Sequence, residues 1–205
     1  MKDIARLCFV LTLITAVSAG VLAFVSNKTE EPIARALREA KMKAVRQVLP
    51  AYDNELMEDR VFVESGQGDS LEVFIGKSGG EFAGAAFPVV AHNGYSGDIN
   101  FLVGVNSDGV IQGIQILNHA ETPGLGAKIQ EPEFRNQYRQ CSIDSPQVWK
   151  VTKDGGVFEP ITGATISSRA ITEATLKGLK FYRSNYQRIS GRGSESEKTD
   201  RQEME

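Results

Sequence analysis

The segment Ile99–Leu117, INFLVGVNSDGVIQGIQIL, decides the fold that this chain can adopt. Its two halves, Ile99–Val105 and Val110–Leu117, are rich in β-branched residues and flank the turn residues Asn-Ser-Asp-Gly. This pattern predicts an antiparallel hairpin. Three further β-type runs precede the hairpin, with glycine-containing turns between them: Val61–Glu64, Leu71–Gly76 and Phe82–Ala91. The middle of the chain therefore predicts a mostly antiparallel sheet.

Helical patterns follow the strands. The sequence EPEFRNQYR predicts a short helix that begins at Pro132, because proline suits a first helical turn. A longer helix is predicted from about Ser168 to Tyr186. Its inner face would consist of Ile171, Ala174, Thr175, Gly178, Leu179 and Tyr182. Together these elements predict an α+β domain on a mostly antiparallel sheet with flanking helices, spanning residues 51–188, before a polar, disordered tail at 189–205.

The N-terminus carries an uncharged stretch of nineteen residues, Leu7–Val25. As a helix it would measure roughly 28 Å, close to the thickness of a bilayer core. We therefore expect one transmembrane helix within residues 1–26. The alternative is a cleaved signal peptide, since Val17-Ser18-Ala19 resembles a cleavage site. We expect a single-pass protein of the cell (inner) membrane with its domain on the extracytoplasmic, periplasmic side, because long domains translocate largely regardless of charge.

Residues 27–50 predict an amphipathic helix that connects the membrane to the domain. Asn27 or Thr29 would cap its start, acidic residues lead, basic residues follow, and Pro50 ends it. An ordinary core helix of the domain is the alternative interpretation.

Composition excludes several kinds of site. The formal net charge of −3 argues against nucleic acid as a partner. Cys8 and Cys141 are the only cysteines and His92 and His119 the only histidines, too few ligands for an iron–sulfur or structural zinc site. We expect no metal, and both histidines to be surface or structural residues. Redox chemistry would therefore need an organic cofactor.

The loop His119–Lys128, HAETPGLGAK, follows the hairpin directly. Its glycines allow the backbone to approach a flat ligand closely, and its proline stiffens the turn. The candidate binding residues in it are Glu121, Thr122, Gly124, Leu125, Gly126 and Lys128. A simple turn at the end of a strand is the alternative interpretation.

A second candidate, Glu159–Arg169 (EPITGATISSR), stands immediately before the long predicted helix. Helix N-termini present unpaired amides and a partial positive charge, which suits a phosphate group. The candidate residues are Thr162, Gly163, Ala164, Thr165, Ser167 and Ser168. A plain Ser/Thr N-cap would account for the same residues.

The run Thr162–Ser168, TGATISS, resembles the flavinylation motif of the FMN-binding domain family. That family is shared by the G subunit of the Rnf (Rsx) electron transport complex and the C subunit of Na⁺-translocating NADH:quinone reductase. The resemblance implies that a dedicated flavin transferase joins FMN to Thr165 through a phosphoester. Glu121–Gly126 resembles the family loop against the isoalloxazine ring. Gly94, Tyr95 and Gly97 resemble a third family signature beside the flavin.

One departure from the family pattern is Glu159, which stands where the family usually has aspartate. The layout and length of the chain are most similar to the Rnf G subunit. The resemblance implies an electron-transfer subunit with covalent FMN, part of an ion-translocating ferredoxin:NAD oxidoreductase and not catalytic alone, so no catalytic residue is assigned. Its partners would be the other membrane subunits, the transferase, and lipid around residues 7–25. The alternatives are a stand-alone extracytoplasmic flavin reductase and a non-redox anchored assembly module.

Overall fold

The computed structural model describes residues 2–64 and 70–191. Its strands are β1 (Arg60–Glu64), β2 (Ser70–Ser78), β3 (Glu81–Ala91), β4 (Ile99–Asn106) and β5 (Ile111–Asn118). Its helices are α1 (Lys2–Val48), α2 (Pro132–Asn136), α3 (Thr165–Ser184) and α4 (Tyr186–Ile189). One 3-10 turn, Gly126–Gln130, lies between β5 and α2, and a second, Thr152–Asp154, lies between α2 and α3. The predicted α+β class is confirmed. The predicted tail 189–205 lies outside the described residues from residue 192 onward, and its predicted start is wrong, because Ile189 ends α4 and is fully buried.

The five strands form one antiparallel sheet in the order β1-β2-β3-β4-β5. Each strand pairs with its neighbour in the chain, and the predicted hairpin of β4 and β5 is present, with Val103 opposite Ile114. Adjacent strands connected by short turns are the simplest way to build such a sheet.

One face of the sheet packs against α3. Phe87 on β3 is fully buried and stacks on Tyr182 of α3, with ring centroids 5.9 Å apart. A methyl group added to Gly178 would lie 2.7 Å from Val89 Cγ2, so glycine is what allows α3 to approach β3 closely. The site described below therefore rests on a helix held firmly against the central strands.

The opposite face of the sheet is covered by the last turns of α1, since side chains alternate between the two faces of a strand. Residues Lys43–Val48 belong to the same compact unit as the sheet. Val45 and Val48 are buried. A methyl group on Gly104 of β4 would lie 2.0 Å from the carbonyl oxygen of Val48, so helix and strand are in direct backbone contact.

Helix α1 is continuous from Lys2 to Val48, with Pro32 inside it. The predicted start of a second helix at Asn27 or Thr29 is wrong, because the Thr29 hydroxyl donates backward to the carbonyl oxygen of Val25 at 2.9 Å instead of capping. The residues of α1 before Lys43 form a compact unit of their own. α1 is long and apolar enough to cross a membrane, a test that a secretory signal sequence also passes.

Candidate functional site

A cleft of about 480 Å³ opens beside the first turn of α3. This volume falls within the range of small-molecule sites, about 300–1,000 Å³. We call it the Thr165 cleft. Its wall consists of Tyr95, Glu121, Thr122, Leu125, Gly126, Lys153, Gly163, Ala164, Thr165, Ile166 and Ser167. The structure thus brings residues from all three sequence motifs to one place.

Thr165 is the first residue of α3 and is half-buried. The preceding residue, Ala164, provides no side-chain cap. Within the described residues, the amides of Thr165, Ile166 and Ser167 have no hydrogen-bond acceptor, as expected for a helix start. Three free N–H groups and the positive end of the helix dipole therefore lie next to the Thr165 hydroxyl, an arrangement that suits an anion.

Glu121 connects the three motifs. Its side chain is buried, with 4% of the residue exposed. Its carboxylate accepts a hydrogen bond from the Ser96 amide at 3.0 Å and another from the Ser167 hydroxyl. One buried carboxylate therefore joins the Gly94–Gly97 loop, its own loop and α3, which makes it the organising residue of the cleft.

Two predicted glycines make room for this carboxylate. A methyl group on Gly94 would lie 2.8 Å from Glu121 Oε1, and one on Gly126 would lie 2.6 Å from Glu121 Oε2. Both glycines are therefore required by packing around Glu121, and Gly126 also forms part of the wall of the cleft.

Three large aromatic or aliphatic side chains of the wall are exposed. Tyr95, Leu125 and Ile166 are 68%, 47% and 46% exposed, respectively. A flat aromatic ligand would remove such side chains from water, which is favourable at about 25 cal/mol per Å² of apolar surface. The cleft thus has an apolar region beside an anion-binding region, and this combination fits a flavin with a phosphate group.

Lys153 is a cleft residue that the sequence motifs do not include. It lies in the turn Thr152–Asp154, and its ammonium donates to Thr165 Oγ1 at 3.1 Å. The next residue, Asp154, accepts two hydrogen bonds from Arg169 of α3, at 2.6 and 2.9 Å. These hydrogen bonds lower the pKa of the Asp154 carboxyl and raise the pKa of the Arg169 guanidinium. No pattern of spacing indicates Lys153, because an irregular turn brings it to Thr165.

Several predicted residues lie away from the wall of the cleft. Thr162 and Lys128 line a separate cleft together with Glu159. The left-handed backbone of Gly163, with φ +79°, turns the chain between Thr162 and Thr165. Gly97 and Gly124 are exposed and also have positive φ, which suits a turn-forming role.

Ser168 has a structural role. It is fully buried, and its hydroxyl donates to the carbonyl oxygen of Ala164 at 3.0 Å and accepts from the Ile161 amide at 3.0 Å. These bonds fix the turn before α3. His119 is structural too, since its Nδ1 accepts a hydrogen bond from the Glu121 amide at 3.0 Å.

Glu159 lies outside the Thr165 cleft but contacts the turn that carries Lys153. Its amide donates to Gln137 Oε1 at 2.8 Å, and its carboxylate accepts from the Thr152 hydroxyl at 3.3 Å. Thr152 precedes Lys153, so this carboxylate touches the turn that carries the cation.

Comparison with known proteins finds a family match over the same part of the chain. Residues 94–180 match the FMN-binding domain family, and that range includes every candidate binding residue named above. The G subunit of an ion-translocating oxidoreductase complex from Aliivibrio fischeri (strain MJ11) is 32% identical over 190 residues, covering 88% of this chain and 90% of that protein. The protein of the same name from Cereibacter sphaeroides is 36% identical over 179 residues, covering 84% of this chain and 81% of that protein.

A solved structure is similar in fold. The crystal structure of Shewanella oneidensis NqrC superposes with a TM-score of 0.50 at 16% identity, covering 73% of each chain. At this identity the likeness concerns the fold alone.

Proposed function

The chain belongs to the family of the G subunits of ion-translocating oxidoreductase complexes, and we propose that it carries FMN on the Thr165 hydroxyl and passes electrons within such a complex. The observation that carries the proposal is the buried Glu121, which holds three separate motifs around one cleft at the start of α3. An FMN-binding domain within a protein of this family makes it an electron-transfer flavoprotein.

The covalent link is a phosphoester at Thr165. The Thr165 oxygen forms a bond to phosphorus and loses its proton. The phosphoanhydride bond of an activated donor, of the flavin dinucleotide class, breaks and releases a nucleoside monophosphate, in a reaction carried out by a flavin transferase. The half-buried hydroxyl in an open cleft supports this assignment, because a second enzyme has to reach it.

The flavin supplies one- and two-electron chemistry when it is bound. The chain binds and orients it. The free amides of α3 hold the anionic phosphate. Tyr95, Leu125 and Ile166 shield the apolar ring from water. Glu121 holds the Gly94–Gly97 loop and the start of α3 in place through its two hydrogen bonds. The remaining residues of the proposed binding set surround these or shape the turns: Gly94, Gly97, Thr122, Gly124, Gly126, Lys128, Thr162, Gly163, Ala164, Ser167 and Ser168.

The proposed setting is the cell membrane, with α1 as a single anchor and the FMN domain on the extracytoplasmic side. The apolar length of α1 supports an anchor. We propose residues 51–188 as the FMN-binding domain, with Lys43–Val48 of α1 packed on its sheet as part of the same unit, after a span within residues 1–26. Partners are the other membrane subunits of the complex, and net turnover between ferredoxin and NAD requires them.

Mass spectrometry tests the attachment. We expect the full-length chain to be colourless from a host without the transferase and yellow when the transferase is co-expressed. The tryptic peptide 154–169 should gain the mass of one FMN less one water. Thr165→Ala should abolish the gain, and Thr165→Ser should retain it because the hydroxyl is kept.

Ser184→Ala is the control, since it removes an exposed hydroxyl at the opposite end of α3, outside the motif. Attachment that survives Thr165→Ala, or that is lost in Ser184→Ala to the same extent, contradicts the assignment.

A further inference from the structure

The ammonium group of Lys153 lies at the attachment oxygen without a carboxylate partner. It donates to Thr165 Oγ1 at 3.1 Å, and among the described residues no Asp or Glu oxygen forms an ion pair with it. The other cation near the start of α3, Arg169, is occupied by both oxygens of Asp154. Lys153 is thus the cation in the wall of this cleft whose charge is not neutralised by an acidic neighbour.

The turn that carries Lys153 is held on both sides. Before it, the Thr152 hydroxyl donates to Glu159, which stands six residues ahead of Thr165. After it, Asp154 is bound bidentately by Arg169, which stands four residues after Thr165. Planar bidentate contacts of this kind define geometry as well as attraction. Both restraints tie the lysine to the segment that contains the hydroxyl, although its own side chain is exposed.

We propose that Lys153 is the phosphate-binding cation of the Thr165 cleft. It donates to the hydroxyl before attachment and to the phosphate oxygens of the flavin afterwards. The inference rests on the proposed function, because it requires the FMN phosphate to bind in the Thr165 cleft, whichever residue forms the ester. The physical reason is that three amides at a helix start supply only about half a positive charge, which leaves part of the charge of a phosphate uncompensated. A full positive charge beside them completes an anion site.

Flavin binding to the full-length chain from a host without the transferase tests this role. Wild-type protein should bind FMN more tightly than riboflavin in fluorescence titrations, because only FMN carries the phosphate. Lys153→Met should weaken FMN binding roughly tenfold, the size expected for one partly solvated charge-assisted hydrogen bond. Riboflavin binding should not change, and Lys153→Arg should restore most of the FMN affinity.

Lys150→Met is the matched control. This lysine stands three residues earlier, is exposed and does not contact Thr165. Its substitution changes the net charge by the same amount as Lys153→Met. A wild-type chain without preference for FMN overturns the proposal. So does a Lys153→Met chain that keeps the full preference, or an equal loss in Lys150→Met, which would indicate only a general effect of charge.

The two proposals fail separately. If peptide mapping finds FMN on another residue while Lys153→Met still removes the preference for FMN, the attachment site is wrong and the phosphate-binding role stands. If FMN is found on Thr165 and the preference survives Lys153→Met, the attachment stands and the role of Lys153 is wrong.

Discussion

The two ends of α3 each border a cleft, yet they are built differently. The Thr165 cleft at the N-terminal end measures about 480 Å³, and a cleft at the C-terminal end, lined by Tyr182, Arg183 and Asp144 among others, measures about 330 Å³. At the C-terminal end, the Asn185 amide donates to the carbonyl oxygens of Phe181 and Tyr182, both at 3.1 Å. Backbone carbonyl groups at that end of the helix therefore have a hydrogen-bond donor within the chain.

At the N-terminal end the backbone groups are left open. The amides of Thr165, Ile166 and Ser167 have no acceptor among the described residues, and a cation lies beside them. The two clefts are thus similar in kind but differ in chemistry, because the N-terminal one offers free amides beside a cation. This difference is the reason why the proposed flavin phosphate is assigned to the N-terminal end.

The largest expected effect is on stability and concerns the C-terminal end of α3, where Tyr182 packs in the hydrophobic core. Phe87→Ala should lower the free energy of unfolding by about 3–5 kcal/mol, because it removes a fully buried ring that stacks on Tyr182. Urea unfolding measures the loss. Phe62→Ala on β1 is the control, since this ring is 58% exposed and should change stability by less than about 0.5 kcal/mol. Equal losses in the two variants would mean that the packing under α3 is not special.

An intermediate effect is expected at the organising carboxylate of the N-terminal end. Glu121→Ala should lower the free energy of unfolding by about 1–3 kcal/mol, because the Ser96 amide and the Ser167 hydroxyl lose their acceptor. The same variant should bind FMN poorly, since three loops lose their common contact. Glu173→Ala, at an exposed position on α3, is the control for both measurements. Normal flavin binding by Glu121→Ala would contradict the organising role.

The smallest expected effect is the pH dependence of the Asp154–Arg169 pair. Hydrogen bonds from Arg169 hold the folded-state pKa of Asp154 below its ordinary value of 3.8, so its ionised form adds stability above that value. The contribution is lost as the pH falls through the lower folded-state pKa. In thermal unfolding at neutral pH, the midpoint temperature of the wild type should therefore be higher than that of Asp154→Asn. The difference between the two midpoints should vanish in acid.

Asp144→Asn is the matched control at the other end of α3, because this carboxylate lies 3.2 Å from Arg183 and its side chain is 79% exposed. Its effect on stability should be smaller at neutral pH, as is typical of exposed ion pairs. A difference between wild type and Asp154→Asn that grows in acid would contradict the assigned direction of the pKa shift.

The sheet could be predicted from sequence because its signals are local. Runs of β-branched residues and glycine turns place each strand within two residues of its observed bounds, as for Phe82–Ala91 against Glu81–Ala91. The predicted start of α3 lies three residues too late, since Thr165 and Ile166 are β-branched and disfavour helix on propensity alone. Tertiary packing against β3 outweighs that preference.

The composition of the site was only partly predictable. Motif residues such as Glu121 and Thr165 could be selected, but their shared cleft depends on pairings that no local pattern encodes. Lys153 reaches Thr165 across twelve residues through a turn that ends at Gly155, with φ +81°. Thr162 belongs to the motif, and the left-handed backbone at Gly163 accounts for its placement in the separate cleft.

The order of the strands has a consequence for quality control. Every pairing in the sheet joins neighbours in the chain, so the sheet can assemble progressively during synthesis. The contacts of Thr165 with Lys153 and of Ser167 with Glu121 can form only after α3 has been synthesised. Under the proposed attachment, an incomplete domain offers the transferase no finished substrate. A yellow protein would then be one whose domain had folded completely before it received its flavin.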